Sequence, residues 1–277
     1  MKATVNRIIH SSVVDGPGNR AVIFLQGCNY RCSYCHNPET ISLCSHCGTC
    51  LEACPTGALS MERGEMIWNE NLCCGCDRCI AACPNLSSPK TKEYSPEEIM
   101  ALLKKDLPFI RGITVSGGEC SLYRDFLVEL FTLVKAKNRT TLMDSNGSYD
   151  YTADKELMAV CDGVMLDVKA WDDDQHRSLT GCGSAPVIEN ALKLAKIGKL
   201  EEIRTVVVPG YLDNRMTVDE ITRALQPYGS FRYRISAYRP FGVREPYRSQ
   251  LRSPSPEELE KLAQIARSNG FTDIVII

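Results

Sequence analysis

Apolar residues along the chain fall into short, β-rich runs separated by polar stretches with helical spacing. The runs are Ala21–Leu25, Ile113–Ser116, Thr140–Asp144, Val164–Val168, Ile203–Val208, Phe231–Ser236 and Ile274–Ile277. Their near-continuous apolar character predicts strands buried on both faces, as in a parallel sheet. The intervening stretches carry helix-start signals. In "SPEEIMALL", Ser95 is placed as N-cap, Pro96 as first helical residue and Glu98 as the reciprocal capping partner. Ile99, Leu102 and Leu103 then share an apolar face. "TVDEITRAL" and "SPEELEKLAQI" suggest the same device with Thr217/Glu220 and Ser255/Glu258. Strand–helix alternation at this spacing means βαβ units. Six or seven of them predict an α/β fold, a full or partial (β/α) barrel, with a doubly wound open sheet as the competing layout.

Residues 41–89 break this rhythm. They are rich in Cys and Gly, lack periodicity, and read as a small inserted domain. The expected organisation is residues 1–40 for the first strand and its loop, 41–89 for the insert, and 90–277 for the rest of the barrel. A chain of 277 residues suits one barrel-sized domain with such an insert. The net charge of −2 makes no electrostatic case for nucleic acid or an anionic membrane as partner. No run approaches the ~18 apolar residues of a membrane span, and "MKATVNRIIHSSVVDGPG" lacks the apolar core of a signal peptide. A cytoplasmic, monomeric protein is expected.

Cysteine changes the picture most. Twelve of the fifteen lie between Cys28 and Cys83, many three residues apart, which suits ligation of one centre better than disulfide pairing of distant loops. Cys44, Cys47, Cys50 and Cys54 precede Pro55, and Cys73, Cys76, Cys79 and Cys83 precede Pro84. Both are C-x2-C-x2-C-x3-C-P, the run of bacterial two-cluster ferredoxins, in which the fourth cysteine ligates the other cluster. This assigns Cys44, Cys47, Cys50 and Cys83 to one [4Fe–4S] cluster, and Cys73, Cys76, Cys79 and Cys54 to a second. Structural zinc knuckles are the alternative, although they use two CxxC pairs. Cys74 is off-pattern.

A separate motif, Cys28, Cys32 and Cys35 in C-x3-C-x2-C, offers three thiolates to a centre that wants four. The unused cysteines Cys74, Cys120, Cys161 and Cys182 have no partner at ligand spacing. An open position is how a metal site binds substrate. The motif follows a first β-strand and resembles that of the radical S-adenosylmethionine (SAM) superfamily. "VDGPGNRAVIFLQGCNYRCSYCHNPET" further resembles the N-terminal signature of glycyl-radical-enzyme activating enzymes. "TVSGGEC", "MDSNG", "VMLDVKAW" and "IRTVVVPG" match that family's later segments in order, from about Val14 to Gly210. The ferredoxin-type insert points to the YjjW-type subgroup.

The resemblance implies a partial (β/α)6, TIM-like radical SAM barrel with an inserted bacterial-type 2[4Fe–4S] ferredoxin-like domain. It implies reductive cleavage of SAM to a 5′-deoxyadenosyl radical, which takes a hydrogen atom from a glycine of a partner glycyl radical enzyme. The cofactors would be three [4Fe–4S] clusters, SAM and a monovalent cation (Na⁺ or K⁺). A reductant such as flavodoxin or ferredoxin would supply electrons. By the same resemblance, Tyr34 lies on the adenine, with Cys35 and His36 lining the pocket. Gly117, Gly118 and Glu119 form the turn that meets the SAM amino group. Asp167, Val168 and Lys169 hold the methionine end, with Arg204 nearby. Asp144, Ser145, Met165 and Asp167 surround the cation, and Asp15 faces the glycine-bearing loop.

The residues themselves favour one location for this chemistry. Gly117–Glu119, Asp144, and Asp167 with Lys169 all end predicted strands, and barrel active sites collect at the C-terminal ends of strands. Lys169 taken alone also fits a rim salt bridge. The sequence departs from the family where Cys120 stands in place of a Pro and where Arg239 stands in place of a His. Arg239 is expected to replace that SAM contact. The arginines at 232, 234, 239, 244, 248 and 252 suggest either a docking face for an acidic partner or a solvated edge. Two other functions are compatible with parts of the chain: a radical SAM enzyme acting on a small molecule, and an iron–sulfur electron-transfer protein.

Overall fold

The computed structural model describes residues 1–277. The chain opens on an antiparallel pair, β1 (Ala3–Ser12) and β2 (Arg20–Leu25). The insert follows, with a hairpin of β3 (Leu59–Glu62) and β4 (Glu65–Trp68) and a short helix α1 (Arg78–Ala82). A short strand β5 (Lys92–Tyr94) then pairs with β1. Alternation begins with α2 (Pro96–Leu102), β6 (Gly112–Gly117), α3 (Arg124–Lys135), β7 (Thr140–Ser145), α4 (Lys155–Val160) and β8 (Gly163–Asp167). It continues with α5 (Asp173–Thr180), α6 (Ala185–Lys196), β9 (Leu200–Val207), α7 (Asn214–Leu225), β10 (Arg232–Ala237), α8 (Tyr247–Gln250), α9 (Pro256–Ser268) and β11 (Ile274–Ile276). No helix is long and apolar enough to cross a membrane.

All seven predicted strands are present, in one nine-stranded sheet of order β11-β10-β9-β8-β7-β6-β2-β1-β5. From β2 to β11 every neighbouring pair is parallel. The order never reverses, so right-handed crossovers place every helix on the same face. A doubly wound sheet requires a reversal, and that layout is excluded. The sheet is open, with β5 and β11 at its edges. β1 and β5 were not foreseen. They cover the edge that β2 would otherwise leave unpaired.

The strands are buried on both faces, as expected, but the two faces differ in character. Alternate side chains point to opposite faces. Ile113, Val115, Met143, Val164, Leu166, Ile203, Tyr233 and Ile235 join helix residues such as Phe126, Leu130, Leu194, Ile221 and Leu262 in one large core. The other parity presents Thr114, Ser116, Asp144, Asp167, Glu202, Arg204 and Arg234 on a polar face. The core thus lies under the helices, and the chemistry lies on the face they leave uncovered.

Helix starts divide in the same instructive way. Ser95 and Ser255 both form complete capping boxes, with Glu98 and Glu258. On α2, Ile99 and Leu103, one turn apart, are fully buried, whereas Leu102 is exposed. Thr217 is not a cap. Helix α7 starts four residues earlier, where the Asp213 carboxylate accepts from Met216 N at 2.8 Å. Asn214 ties this start to the end of β9, accepting from Val208 N at 2.8 Å and donating to Val206 O at 3.0 Å. Thr217 instead donates its hydroxyl to Asp213 O inside the helix.

Residues of the insert carry a core of their own: Cys50, Leu59, Met66 and Cys79, with Cys44, Leu51, Cys54, Trp68 and Ile80 packed against it. Its two ends are joined where Ser42 N donates to Leu86 O at 2.9 Å. A core built largely of cysteines is small by any apolar measure.

The capping geometry sets a test. Asp213→Ala is expected to cost about 1 kcal/mol in urea unfolding, while Glu220→Ala stays within about 0.5 kcal/mol of the parent. The reverse order would restore the capping box at Thr217.

Candidate active site

The carboxyl ends of β2 and β6–β9 surround a cleft with about 840 Å³ of empty space including its mouth. Its walls include Cys28, Cys32, Tyr34, Cys35, His36, Gly117, Gly118, Asp144, Ser145, Asp167 and Lys169. Most of the expected site residues are therefore brought together, though they come from five strand ends.

The cysteine loop is held by backbone bonds at both sides. Gly27 N donates to Thr40 O at 2.7 Å and Cys28 N to Ile41 O at 2.8 Å. Arg31 N and Ser33 N donate to Thr180 O and Leu179 O, at 3.0 and 2.9 Å. Those two carbonyls end α5 and lack helical partners, so the helix terminus and the loop satisfy each other. Gln26 is fully buried and anchors the start of the loop, donating from Nε2 to Glu39 O at 2.6 Å and Ser42 O at 2.7 Å. Burial pushes the thiols of Cys28 and Cys35 up to about 11 and about 12.

Gly117 and Gly118 are required sterically. A Cβ on Gly117 would sit 2.2 Å from Leu25 O, and one on Gly118 would sit 2.0 Å from Gly27 O. The turn after β6 thus lies backbone-on-backbone against the start of the cysteine loop. Glu119 follows, but its carboxylate turns into the protein and does not line the cleft. It is fully buried and accepts from Ser121 N (3.0 Å), Ser121 Oγ (2.6 Å), Ser145 Oγ (2.9 Å) and Asn146 N (2.8 Å). Burial raises its pKa, and these donors oppose that shift. Glu119 therefore braces the turn after β7 and offers no side-chain atom to the cleft.

The strand ends carry two charge pairs. Lys169 Nζ lies 2.8 Å from Asp167 Oδ2 and 5.9 Å from the centre of the Tyr34 ring. Burial works against the lysine charge, but Asp167, Tyr34 and Cys32 together outweigh it and hold the Lys169 pKa well above the usual value. Arg204 Nη1 lies 2.8 Å from Asp144 Oδ1, and its Nε bonds Glu202 on the same strand. Ser116 Oγ donates to Asp144 Oδ2 at 2.9 Å. Burial raises the Asp144 carboxyl to about 6 against the pull of Arg204.

At the residues expected to surround a cation, both oxygens of Asp144 are engaged, Ser145 Oγ is bound to Glu119, and Met165 Sδ faces Arg204 Nη2 at 3.0 Å. Two further placements change. Val168 is fully buried in the helix-side core and does not line the cleft. Arg239 is exposed and does not line the cleft; its neighbour Tyr238 is buried with its ring 6.3 Å from that of His36.

Asp15 lies on the polar face but at the opposite end of the strands. Its carbonyl accepts from Thr114 Oγ1 at 2.7 Å, and its carboxylate accepts from Ser12 Oγ. The arginines do not form one docking face. Arg232 pairs with Asp273, Arg252 with Glu258, Arg234 faces buried Glu202, and Arg244 reaches the insert.

Polar accounting identifies what the cleft lacks. Tyr34 OH, His36 Nε2 and Tyr238 OH are buried without a hydrogen-bond partner. Buried polar atoms are normally satisfied, so three unsatisfied atoms beside one cleft fit a polar, aromatic ligand. Sequence reasoning missed Gln26, Asn146 and Tyr238 as site residues. Gln26 and Asn146 each stand beside a motif residue in the chain, and that adjacency was their available signal.

The insert holds two further cysteine cavities, each with about 300 Å³ of empty space. One is lined by Cys44, Cys47, Cys50 and Cys83, the other by Cys54, Cys73, Cys74, Cys76 and Cys79. The fourth cysteine of each run faces the other run's cavity.

A singly wound parallel sheet with a three-cysteine loop at its carboxyl edge defines a class. The profile of the radical SAM superfamily matches residues 22–221, and the chain belongs to that superfamily. Membership implies a [4Fe–4S] cluster and SAM, and the three thiols and unsatisfied polar atoms of the cleft fit them. Among relatives, the chain is 31% identical to the (2S)-3-sulfopropanediol sulfolyase activating enzyme of Bilophila wadsworthia, over 83% of each chain. It is 29% identical to the trans-4-hydroxy-L-proline dehydratase activating enzyme of Clostridioides difficile, over 98% of each. The protein is accordingly an enzyme of the glycyl-radical activase class. The structure of QueE from Escherichia coli superposes with a TM-score of 0.60 at 14% identity, covering 100% of this chain and 94% of that one. That likeness concerns the fold.

The glycine contact generates a prediction. Gly118→Ala is expected to destabilise the protein by about 1–3 kcal/mol through overpacking of backbone, read as a lower urea midpoint. An unchanged midpoint would show that the turn and the loop can separate.

Proposed function

We propose that this protein installs a glycyl radical on a partner glycyl radical enzyme. The observation that carries the proposal is the three-thiol loop over a cleft with no fourth protein ligand, in a chain similar to activating enzymes over 98% of its length. When bound, the cluster and SAM supply a 5′-deoxyadenosyl radical that abstracts hydrogen from glycine.

The residues divide that task by position. Cys28, Cys32 and Cys35 hold the cluster and leave one iron for SAM. Gly117 and Gly118, seated backbone-on-backbone against the cysteine loop, present backbone to the SAM amino group. Asp167 and Lys169 hold the methionine end, while Tyr34 and His36 take the adenine. Asp144 and Arg204 form the polar floor. Asp15, at the far end of the open face, marks where the glycine-bearing loop extends. The sheet curves as a partial barrel around that loop and excludes water from the radical.

Residues 41–89 are assigned as a ferredoxin-like domain with two [4Fe–4S] clusters, as in the YjjW-type subgroup. Two observations support the crossed ligand assignment: Cys83 lines the cavity of the first run, and Cys54 that of the second. No three of the chain's Cys, His, Asp or Glu side chains converge as a single-ion site. A flavodoxin or ferredoxin is the proposed donor, and the enzyme is placed in the cytoplasm as a monomer.

The protein, reconstituted anaerobically, is expected to bind about twelve irons. With SAM, dithionite and its partner enzyme, it is expected to give the glycyl-radical doublet in the electron paramagnetic resonance (EPR) spectrum. Cys32→Ala is expected to abolish the doublet while keeping about eight irons. Absence of the doublet with every cognate partner would sink the activase reading. Cys83→Ala is expected to lose about four irons and keep SAM binding. Loss of SAM binding as well would place Cys83 in the wrong centre.

A further inference from the structure

Arg244, in the segment after β10, has no part in the reaction assigned above. Its Nη1 donates to Cys83 O at 2.9 Å and its Nη2 to Ile80 O at 2.8 Å. A planar guanidinium can bridge two carbonyls this way, and an ammonium cannot do so with the same geometry. Both acceptors lie at the C-terminal turn of α1, and Cys83 lines the cavity with Cys44, Cys47 and Cys50.

The same segment grips the active-site loop. Gly242 has φ +79°, and a Cβ there would lie 2.0 Å from His36 O. Val243 and Tyr238 pack with Tyr34, Ala170 and Leu179 in a small apolar cluster. Residues 238–244 therefore touch both the loop bearing Tyr34 and His36 and the turn bearing Cys83. Connectivity gives a second limit. Ile41 lines the active-site cleft and Cys44 lines the insert cavity, and three residues span at most about 11 Å. The other cysteine cavity faces elsewhere, sharing Trp68, Asp77 and Lys90 with a groove along β1 and β5.

We infer that Arg244 is a positioning residue that locks the Cys83 side of the insert against the active-site loop, and that its charge raises the reduction potential of the iron–sulfur centre held there. The inference rests on the cluster reading of residues 41–89. Its physical basis is simple. The guanidinium is partly buried, it forms no ion pair, and one of its two hydrogen bonds ends on the backbone of a ligand cysteine while the other ends on Ile80 in the same turn. Reduction adds one negative charge to the centre, and a nearby positive charge stabilises the reduced state.

The test is an anaerobic redox titration followed by EPR on the reconstituted parent, R244A, R244Q and R244K, with iron counted in each. At the potential where the parent centre is half reduced, R244A and R244Q are expected to be no more than about one-fifth reduced. R244K, which keeps the charge, is expected to titrate near the parent. The other two centres are expected to stay unchanged. Trypsin is expected to cut within residues 41–89 faster in R244A than in the parent. With about twelve irons retained, parent-like titration of R244A and R244Q would overturn the inference. So would an equal shift of all three centres, or an unchanged cutting rate. A parent protein holding only about four irons would instead remove the cluster premise, and the inference with it.

Discussion

The active site depends on the contact between two backbones. Gly118 lies so close to Gly27 that a methyl group would reach within 2.0 Å of its carbonyl oxygen. Parallel pairing of β2 with β6 brings their carboxyl ends together, ending at Leu25 and Gly117. Without side chains between them, the turn after β6 supports the cysteine loop directly. Everything else at the cleft is placed relative to this seam. Gln26 pins the near end of the loop, and the free carbonyls of α5 hold the far end. Glu119, buried beside the seam, fixes the turn after β7 through Ser145 and Asn146. A buried carboxylate is costly unless satisfied, so its four donors hold that turn in one geometry.

The charges of the polar face follow from sheet geometry as well. Register sets Asp167 beside Arg204, and Asp144 beside Met165 on the same face. Arg204 reaches across to Asp144. One arginine thus neutralises the floor of the cleft from the neighbouring strands. The Lys169–Asp167 pair is separate and nearer the cysteine loop, with the ammonium over the Tyr34 ring. Both pairs lie on the side without helices, where a ligand or a protein loop has room to approach.

This division explains what was legible in sequence. The seven parallel strands announced themselves because their helix-facing residues are apolar and β-branched, and the motif residues stood at their ends. β1 was not legible: its partner contacts are antiparallel, and "ATVNRIIHSS" mixes parities through a register shift between Val5 and Arg7. The start of α7 was misplaced because a Thr–Glu spacing imitates a capping box, while Asp213 and Asn214 had stronger local bonds to make. At the site, residue types that act through their position along the chain were found. Those that act by folding back were not. Glu119 turns inward, Val168 faces the core, and Tyr238 rather than Arg239 reaches His36. Direction of a side chain at a strand end depends on the neighbouring turn, which no motif encodes.

The insert raises the opposite problem, since its pattern was the clearest and its apolar core is the weakest. Four buried residues, two of them cysteines, form that core. Such a unit lacks the apolar burial that usually stabilises a chain of this size. Metal binding supplies folding free energy in small domains of this kind. The crossed arrangement of Cys54 and Cys83 makes each cavity depend on both cysteine runs. Filling either cavity therefore ties the two halves of the insert together. The hydrogen bond from Gln26 to Ser42 and the reach of Arg244 to Cys83 then fix the insert to the rest of the fold at two points. A unit with so small a core keeps its position beside the active-site loop through these attachments.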